Sequence, residues 1–227
     1  MKEKKVVLFD MDGVLYDSMP HHARAWKETI DGCGIPSTEE DFYMLEGRTG
    51  ATTIDHLFQR YYNHNATDEE KEAIYTRKAA RFHELNDGRM MRGAKPSLEK
   101  VKESGLSASV VTGSGQPSLL EKLKSDYFGL IAPDKTVSAF DVKFGKPHPE
   151  PYLMGLTAWC ITPGEAIVVE NAPLGVESAK AAGIFTIAVN TGILKDSVLL
   201  DAGADLLYHS MQELADDWDD VLKNRLK

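Results

Sequence analysis

Short apolar runs rich in β-branched residues alternate with longer segments of helical spacing over most of this chain. Four of the runs are predicted to be buried strands, at Val6–Phe9, Ala108–Val111, Ala166–Val169 and Ile184–Val189. After residue 92, apolar residues recur with helical periodicity at 95–104, 116–124, 149–159, 173–182 and 210–223. Strands that alternate with helices form parallel sheets, so the pattern predicts an α/β core.

Residues 20–88 have a different pattern, without a strong strand signal. Four segments show helical apolar spacing instead, at 21–33, 38–46, 51–62 and 67–86. The last begins with three acidic residues behind Thr67, and acidic residues are typical of a first helical turn. We therefore predict an all-helical domain of residues 17–91, inserted into an α/β core that comprises residues 1–16 and 92–227.

Composition excludes several classes of partner. The 227 residues have a net charge of −9, which argues against nucleic acid or an anionic membrane surface as the main partner. The N-terminal MKEKK precedes only four apolar residues, too few for a signal or membrane-spanning segment, so we expect a cytoplasmic protein. Cys33 and Cys160 lie far apart without metal-site spacing, so we predict two reduced, buried thiols. We expect a monomer.

The first predicted strand, Val6–Phe9, ends on two carboxylates and a glycine. Asp10 and Asp12 lie one residue apart, and Gly13 permits a sharp turn. If the chain bends between them, both carboxylates point into one crevice, where like charges need a cation, a proton or a metal-bound phosphate. An Asp-x-Asp-Gly sequence is by itself consistent with an ordinary turn, so the interpretation depends on motifs further along the chain.

The strand Ala108–Val111 leads into a candidate phosphate-binding turn. Thr112 follows the strand directly, and Gly113 and Ser114 precede a helix predicted to begin at Pro117. A hydroxyl and bare backbone amides at the start of a helix can hold phosphate oxygens. A glycine-rich turn of this kind is also common as a purely structural connection.

Two further motifs offer a cation and oxygen ligands. Lys146 precedes Pro147 in a stiff loop, where its ammonium can neutralise a phosphate or clustered aspartates; alone, it would be interpreted as a solvated lysine. Glu170 and Asn171 follow Ala166–Val169, and their hard oxygen ligands suit Mg²⁺ better than zinc. Asn171 can equally cap the following helix, and the two roles are compatible.

Together, the four motifs are expected at the carboxyl edge of the sheet, where open α/β sheets bind ligands. They resemble the motifs of the haloacid dehalogenase-like phosphohydrolase superfamily, and the resemblance extends over almost the whole chain. It implies a Rossmann-like core, with the inserted helices as the family's cap domain. Similarity to the β-phosphoglucomutase-like group rests on Phe9–Asp12, His22, Trp26, Leu119–Lys122, Gly175 and Ala181–Gly183.

The resemblance implies a role for each motif. Asp10 would be the nucleophile that forms an aspartyl phosphate, and Asp12 the general acid and then the general base. Thr112, with the amides of Gly113 and Ser114, would hold phosphate oxygens, and Lys146 would neutralise charge. The cofactor would be Mg²⁺, bound by Asp10, the Asp12 carbonyl, Glu170 and Asn171.

Two departures from the group's pattern concern the substrate. Asn171 stands where the group often has aspartate, which removes one negative charge from the metal site. In the loop that runs from Leu45 to Gly50, Glu46 replaces a lysine of the sugar-phosphate mutases, and Gly50 replaces an arginine that grips the distal phosphate. Arg48 could partly substitute for that arginine. A direct role for Glu46 and a surface position at a helix end are both open.

A carboxylate in a phosphate pocket is repulsive unless a cation bridges the two, and a magnesium–pyrophosphate substrate supplies that cation. Lys78, at the position of a cap lysine in the mutases, could meet the second phosphate. His22 is expected on the first cap helix beside the general acid, although a partly exposed histidine without a role is an alternative.

The leading hypothesis is therefore an inorganic pyrophosphatase. A β-phosphoglucomutase or a small sugar-phosphate phosphatase is the alternative within the same chemistry. A non-catalytic module that binds phosphate ligands is an alternative of another class, but it would not need both carboxylates. A dehalogenase would not need Asp12, because halide leaves without a proton.

Overall fold

The computed structural model describes residues 3–226. In this range, five strands form one parallel sheet in the order β2-β1-β3-β4-β5. The strands are β1 (Val6–Phe9), β2 (Ser107–Val110), β3 (Ala166–Glu170), β4 (Phe185–Val189) and β5 (Leu206–Tyr208). The predicted α/β core is confirmed, and β1 lies between the two strands that precede the other polar motifs.

Helices cover both faces of this sheet and also fill the segment between β1 and β2. They are α1 (Met19–Asp31), α2 (Glu39–Met44), α3 (Gly50–Tyr62), α4 (Asp68–Leu85), α5 (Ala94–Glu103), α6 (Pro117–Asp126), α7 (Glu150–Trp159), α8 (Pro173–Ala181), α9 (Asp196–Asp201) and α10 (Met211–Asp220). Short 3₁₀ turns lie at Pro133–Lys135 and Pro163–Glu165, and a π-helical turn, Val221–Arg225, follows α10.

Both faces of the sheet are buried, which explains why its strands are continuously apolar. Val7 and Phe9 belong to the apolar cluster formed with α5 and α10, whereas Val6 and Leu8 belong to the one formed with α7 and α8. All four of these β1 side chains are at most 1% exposed. The core therefore fixes the end of β1, where Asp10 begins the Asp-x-Asp-Gly sequence.

The helices α1 to α4 form a separate apolar cluster, which includes Ile30, Phe42, Ile54, Phe58 and Ile74. The two connections to the core run side by side. The amide of Asp17 donates to the carbonyl of Arg89 at 3.0 Å, and that of Met91 donates to Leu15 at 2.8 Å. An all-helical insertion agrees with the predicted fold class. The division at residues 17 and 91 stays a prediction.

The sequence pattern missed two short elements, β5 and α9. β5 has three residues at the edge of the sheet, and α9 has six. Segments of this length contain too few positions for an apolar period to stand out. Both lie after β4 in the chain.

Both cysteines are free, as predicted. The prediction that both are buried is wrong for Cys160, which is exposed where it ends α7 in a left-handed conformation with φ of 53°. Cys33 is partly buried. Among residues 3–226, no helix has the length and apolar character that a membrane span requires.

Candidate active site

The predicted core motifs converge at the carboxyl ends of three adjacent strands. Asp10 follows β1 directly, Thr112 follows β2 after one intervening residue, and Glu170 ends β3. The amide of Asp10 donates to Val169 at 2.9 Å, and that of Val111 donates to Phe9 at 2.9 Å, so the ladder extends to the edge of the site. The strand order thus places Asp10 between the phosphate-binding turn and the candidate metal ligands.

Lys146 lies at the centre of this group, only 2% exposed. Its Nζ is 2.5 Å from Asp10 Oδ1 and 2.6 Å from Glu170 Oε1, and it donates to the carbonyl of Val111 at 3.1 Å. Burial alone would lower the pKa of Lys146, but attraction to the two carboxylates outweighs burial and raises it. The interpretation of Lys146 as a solvated surface lysine is therefore excluded.

Asp10 has more negative charge around it than one lysine can neutralise. Burial and the charges of Glu170 and Asp12 raise the pKa of Asp10 to about 8, although Lys146 acts in the opposite direction. A nucleophilic carboxylate must be ionised. The site would therefore gain from a further cation close to Asp10.

Asp12 has the opposite electrostatic environment. Burial acts to raise its pKa, but the hydrogen bonds from His22 and Ser18, with the positive charge of Lys78, lower it below its usual value. Its Oδ1 accepts from Ser18 Oγ at 2.6 Å and lies 3.2 Å from His22 Nε2. The two aspartates of one motif thus differ in proton affinity, and only Asp12 is stabilised in its ionised form by the side chains around it.

His22 connects Asp12 to a buried lysine of the helical insertion. Lys78 Nζ is 2.6 Å from His22 Nδ1, and the His22 ring stacks on Phe82 with centroids 3.8 Å apart. Because the Asp12 carboxylate accepts, we assign the proton of neutral His22 to Nε2. Burial, followed by the charge of Lys78, lowers the pKa of His22 and supports the neutral form. The alternative that His22 is a partly exposed histidine without a role is therefore not supported, because His22 is buried and contacts both Asp12 and Lys78.

Lys78 itself is 3% exposed. Burial lowers the pKa of Lys78 to about 7, with only the charge of Asp12 acting to raise it. Its Nζ also lies 5.1 Å from the ring centroids of Trp26 and Phe82. A lysine in this environment would be stabilised as a cation by an anionic ligand in the adjacent cavity.

The turn after β2 is buried, and one of its hydroxyls has no partner. The Ser114 amide donates to Thr112 Oγ1 at 3.0 Å, whereas Ser114 Oγ is buried without a hydrogen-bond partner. In this structure the Ser114 amide is used inside the turn, and the Ser114 hydroxyl is a further group available to a ligand. The role of the Ser114 amide at a phosphate stays a prediction.

The loop 45–50 between α2 and α3, here called the cap loop, lies directly on the core. A Cβ added to Gly47 would be 2.9 Å from Lys146 Cδ, and one added to Gly113 would be 2.8 Å from the Gly47 carbonyl. Gly47 also has a φ of +92°, which glycine adopts more easily than other residues do. The helical insertion is therefore closed over the motifs.

Glu46 of the cap loop points to the candidate metal ligands. Its two carboxylate oxygens lie 3.1 and 3.3 Å from Asn171 Nδ2, which donates to both. Burial, then the charges of Asp10 and Glu170, raise the pKa of Glu46 well above its usual value. The alternative of a surface acid at a helix end is excluded.

Between the cap loop and the core lies a cavity of about 80 Å³. Each cap residue singled out from the sequence lines it, together with the two aspartates and the phosphate-binding turn: His22, Glu46, Arg48, Lys78, Asp10, Asp12, Thr112, Gly113 and Ser114. Arg48 Nε is buried without a hydrogen-bond partner. Lys146, Glu170 and Asn171 lie beneath, in contact with these residues.

Sequence reasoning missed three residues that hold the site. Ser18 and Phe82 support Asp12 and His22, and Tyr152 of α7 donates to Glu170 Oε1 at 2.6 Å. A serine before a helix and aromatic residues at helical spacing are ordinary sequence features. Only the tertiary structure indicates what they contact.

The donor set fits Mg²⁺. Asn171 Oδ1 is buried and has no partner, because Nδ2 of the same amide faces Glu46. Within residues 3–226, no three His, Cys, Asp or Glu side chains converge as a ready-made metal cluster, and Lys146 Nζ lies between Asp10 and Glu170. Mg²⁺ usually binds one or two carboxylates and keeps water and substrate oxygens, so a partial set is sufficient.

Comparison with known proteins agrees with this geometry. The sequence pattern described as haloacid dehalogenase-like hydrolase matches residues 7–189. The chain belongs to this family. The predicted superfamily is thereby confirmed.

Relatives within the family are phosphatases and a phosphoglucomutase-like protein. Hexitol phosphatase A of Escherichia coli (strain K12) is 32% identical, over 92% of this chain and 93% of its own. A phosphorylated carbohydrates phosphatase of Thermotoga maritima is 32% identical, over 88% of this chain and 92% of its own. A solved structure from Bacteroides vulgatus, provisionally named β-phosphoglucomutase, has 50% identity and a TM-score of 0.93, covering 99% of this chain and 91% of its own. The prediction of a phosphatase-type enzyme is confirmed.

Proposed function

We propose that this enzyme hydrolyses inorganic pyrophosphate in a Mg²⁺-dependent reaction with Asp10 as the nucleophile. The observation that supports this substrate best is Glu46, whose carboxylate enters the catalytic cavity and contacts Asn171. A carboxylate there repels a bare phosphate ester but attracts the cation of a magnesium–pyrophosphate complex. Glu46 thus selects for a substrate that brings its own metal.

The size of the cavity supports the same substrate. About 80 Å³ lies between the cap loop and the core, whereas pockets for drug-sized ligands usually measure roughly 300–1,000 Å³. Pyrophosphate consists of two phosphoryl groups and needs no subsite for a sugar ring. With the cap loop closed, the cavity suits a small, highly charged substrate.

In the proposed reaction, a carboxylate oxygen of Asp10 forms a bond to phosphorus while the bond to the bridging oxygen breaks. Orthophosphate leaves with the electron pair of that bond. Water then attacks the aspartyl phosphate, Asp12 accepts its proton, and the bond between Asp10 and phosphorus breaks. Ser114 Oγ and Lys146 would stabilise the phosphoryl oxygens.

Mg²⁺, held by Asp10, the Asp12 carbonyl, Glu170 and Asn171, would supply charge neutralisation for the phosphoryl group. The low pKa of Asp12 keeps it ionised, which suits its role as a base. Orthophosphate is a weaker base than a sugar alkoxide and depends less on a proton from Asp12. Pyrophosphate therefore matches the ground-state ionisation of this site better than a sugar ester does.

Sugar-phosphate hydrolysis is the second candidate, supported by the names of the relatives. The unpartnered Arg48 Nε beside the cavity would bind the far end of such a substrate. A β-phosphoglucomutase reaction would need the same subsite for a second phosphate. A purely binding role is disfavoured, because it leaves the different environments of Asp10 and Asp12 without purpose.

The decisive experiment is a substrate panel with Mg²⁺. It includes pyrophosphate, hexitol phosphates, fructose 1-phosphate, and β-glucose 1-phosphate with a bisphosphate primer. We expect kcat/KM for pyrophosphate to exceed that for each ester by about tenfold or more, a difference of about 1.4 kcal/mol in transition-state stabilisation. Chelation of Mg²⁺ should abolish turnover. Pyrophosphate turnover no better than that of the sugar phosphates would contradict the proposed substrate.

A further inference from the structure

Tyr152 is a buried tyrosine whose hydroxyl contacts a candidate metal ligand. The side chain is 0% exposed, and its hydroxyl donates to Glu170 Oε1 at 2.6 Å. The same oxygen accepts from Lys146 Nζ, also at 2.6 Å. Glu170 Oε1 therefore has one neutral and one charged donor, from different elements of the fold.

The position of Tyr152 follows from how closely α7 packs on the sheet. Gly155, three residues further along α7, faces β1, and a Cβ there would be 3.1 Å from Leu8 Cδ1. Residues three and four apart share a helix face, so Tyr152 lies on the face that Gly155 brings close. The hydroxyl consequently reaches the end of β3.

Glu170 is also confined from its other sides. A Cβ added to Gly175 would be 2.1 Å from the Glu170 carboxyl carbon, so the carboxylate packs directly against the backbone of α8. The amide of Asn171 donates to Glu170 Oε2 at 3.1 Å. Of the two donors at Oε1, Lys146 is needed for charge neutralisation, and Tyr152 is not.

Lys146 has several tasks at once, which makes the second donor important. It contacts Asp10, Glu170 and the Val111 carbonyl, and its Nζ lies 5.2 Å from the centroid of the Tyr152 ring. During phosphoryl transfer, its charge is needed at the phosphoryl oxygens. A lysine drawn toward phosphate would leave Glu170 Oε1 without a partner unless another donor held it.

We propose that Tyr152 is a positioning residue that holds Glu170 in its metal-binding orientation while Lys146 serves the phosphoryl group. The proposal rests on the proposed function, because it takes Glu170 as a Mg²⁺ ligand. Residues that orient metal ligands typically change metal affinity by roughly 10–100-fold when they are removed. Loss of the Tyr152 hydroxyl should therefore weaken metal binding more than catalysis at saturating metal.

The test compares Tyr152→Phe with Tyr127→Phe in the full-length protein. Each variant removes one buried tyrosine hydroxyl and keeps the packed ring. The Tyr127 hydroxyl donates to the Leu15 carbonyl at 2.5 Å and supports only the core. Mn²⁺ alone, without substrate, is titrated into each protein by calorimetry or electron paramagnetic resonance, and thermal unfolding reports stability. The metal dependence of turnover is measured separately.

For Tyr152→Phe, we expect the Kd for Mn²⁺ to rise about tenfold, with kcat at saturating Mg²⁺ within about threefold of wild type. The two variants should lower the Tm to a similar degree, because each loses one buried hydrogen bond. Tyr127→Phe should leave the Kd for Mn²⁺ unchanged. Equal Mn²⁺ affinity in wild type and Tyr152→Phe would overturn the inference.

The proposed function can fail while the inference about Tyr152 holds. Wild-type protein that binds Mn²⁺ but does not hydrolyse pyrophosphate would contradict the proposed substrate. A tenfold higher Kd for Mn²⁺ in Tyr152→Phe would still support the inference. Wild-type protein that binds no Mn²⁺ would contradict both the proposed function and the inference. The Glu170→Gln variant shows the Mn²⁺ affinity of a site that lacks the Glu170 carboxylate.

Discussion

The core edge and the cap loop both contribute polar groups to one cavity, but they are built differently. In the core, Asp10, Thr112 and Glu170 lie at or just beyond strand ends, and Lys146 lies within hydrogen-bond distance of two carboxylates. In the helical insertion, Glu46 and Lys78 lie beside the cavity, and within residues 3–226 neither has an oppositely charged side chain in hydrogen-bond contact. The charged groups of the core are thus paired with one another, whereas those of the insertion face the cavity.

The pKa shifts of the two regions support this contrast. Attraction between Lys146 and its carboxylates raises the pKa of Lys146 and keeps it a cation. In the insertion, burial raises the pKa of Glu46 and lowers that of Lys78 to about 7, so burial opposes the charged form of each. A ligand with both metal and phosphate would stabilise both charged forms. This contrast supports the proposal that the cap groups select the substrate and the core groups carry out the reaction.

The largest effect is expected from removing the nucleophile of the core. Asp10→Asn keeps the shape of the side chain but cannot form an aspartyl phosphate. Turnover of every substrate should fall on the order of 10⁴-fold or more, as measured by phosphate release. Thermal unfolding serves as the control that the variant is folded. Near-wild-type turnover would remove the assignment of Asp10 as the nucleophile.

A smaller effect is expected where the two regions meet. Asn171→Asp would replace the Nδ2 donor with an oxygen that faces Glu46, and the two carboxylates would repel each other. We expect kcat/KM for pyrophosphate at saturating Mg²⁺ to fall about tenfold, or about 1.4 kcal/mol.

A double-mutant cycle locates the cause of that loss. When Glu46→Gln is already present, the added Asn171→Asp change should cost much less, because one of the two charges is gone. Fully additive losses would show that Asn171 acts independently of the cap loop.

The third effect is on stability and not on turnover, and it comes from Lys78. In the folded protein, the pKa of Lys78 is about 7, against an ordinary value of 10.5. The unfolded chain therefore binds more protons between these pH values, so this group makes stability rise with pH across the window. Lys78→Met should flatten the rise by at most about 1.4 kcal/mol per pH unit.

The measurement for Lys78→Met is denaturant unfolding from pH 7 to 10. Lys95→Met, at an exposed position of α5, is the matched control and should leave the slope unchanged. An identical pH dependence in wild type and Lys78→Met would contradict a lowered pKa for Lys78.

The sequence predicted the core part of the site better than the cap part. Asp10, Thr112 and Glu170 could be placed together because parallel strands bring their carboxyl ends to one edge. The contact between Glu46 and Asn171 joins residues 125 positions apart across a loop and a strand end, so no local pattern indicates it. Ser18 and Tyr152 were missed for the same reason, since their importance lies in what they contact.

The fold shows a similar limit. Long segments with a clear apolar period, such as α4 and α10, were predicted close to their observed ends. The short edge strand β5 and the six-residue α9 were not, because tertiary pairing determines them more than local pattern does.

The central claim is that the core carries out the reaction and Glu46 selects the substrate. It is tested most directly by kcat/KM of wild type and Glu46→Gln on Mg²⁺-pyrophosphate and on a small ester such as p-nitrophenyl phosphate. We predict a loss of about 100-fold on pyrophosphate, near 2.7 kcal/mol, and a change of less than about threefold on the ester. Equal losses on both substrates would contradict the claim, because Glu46 would then belong to the reaction itself.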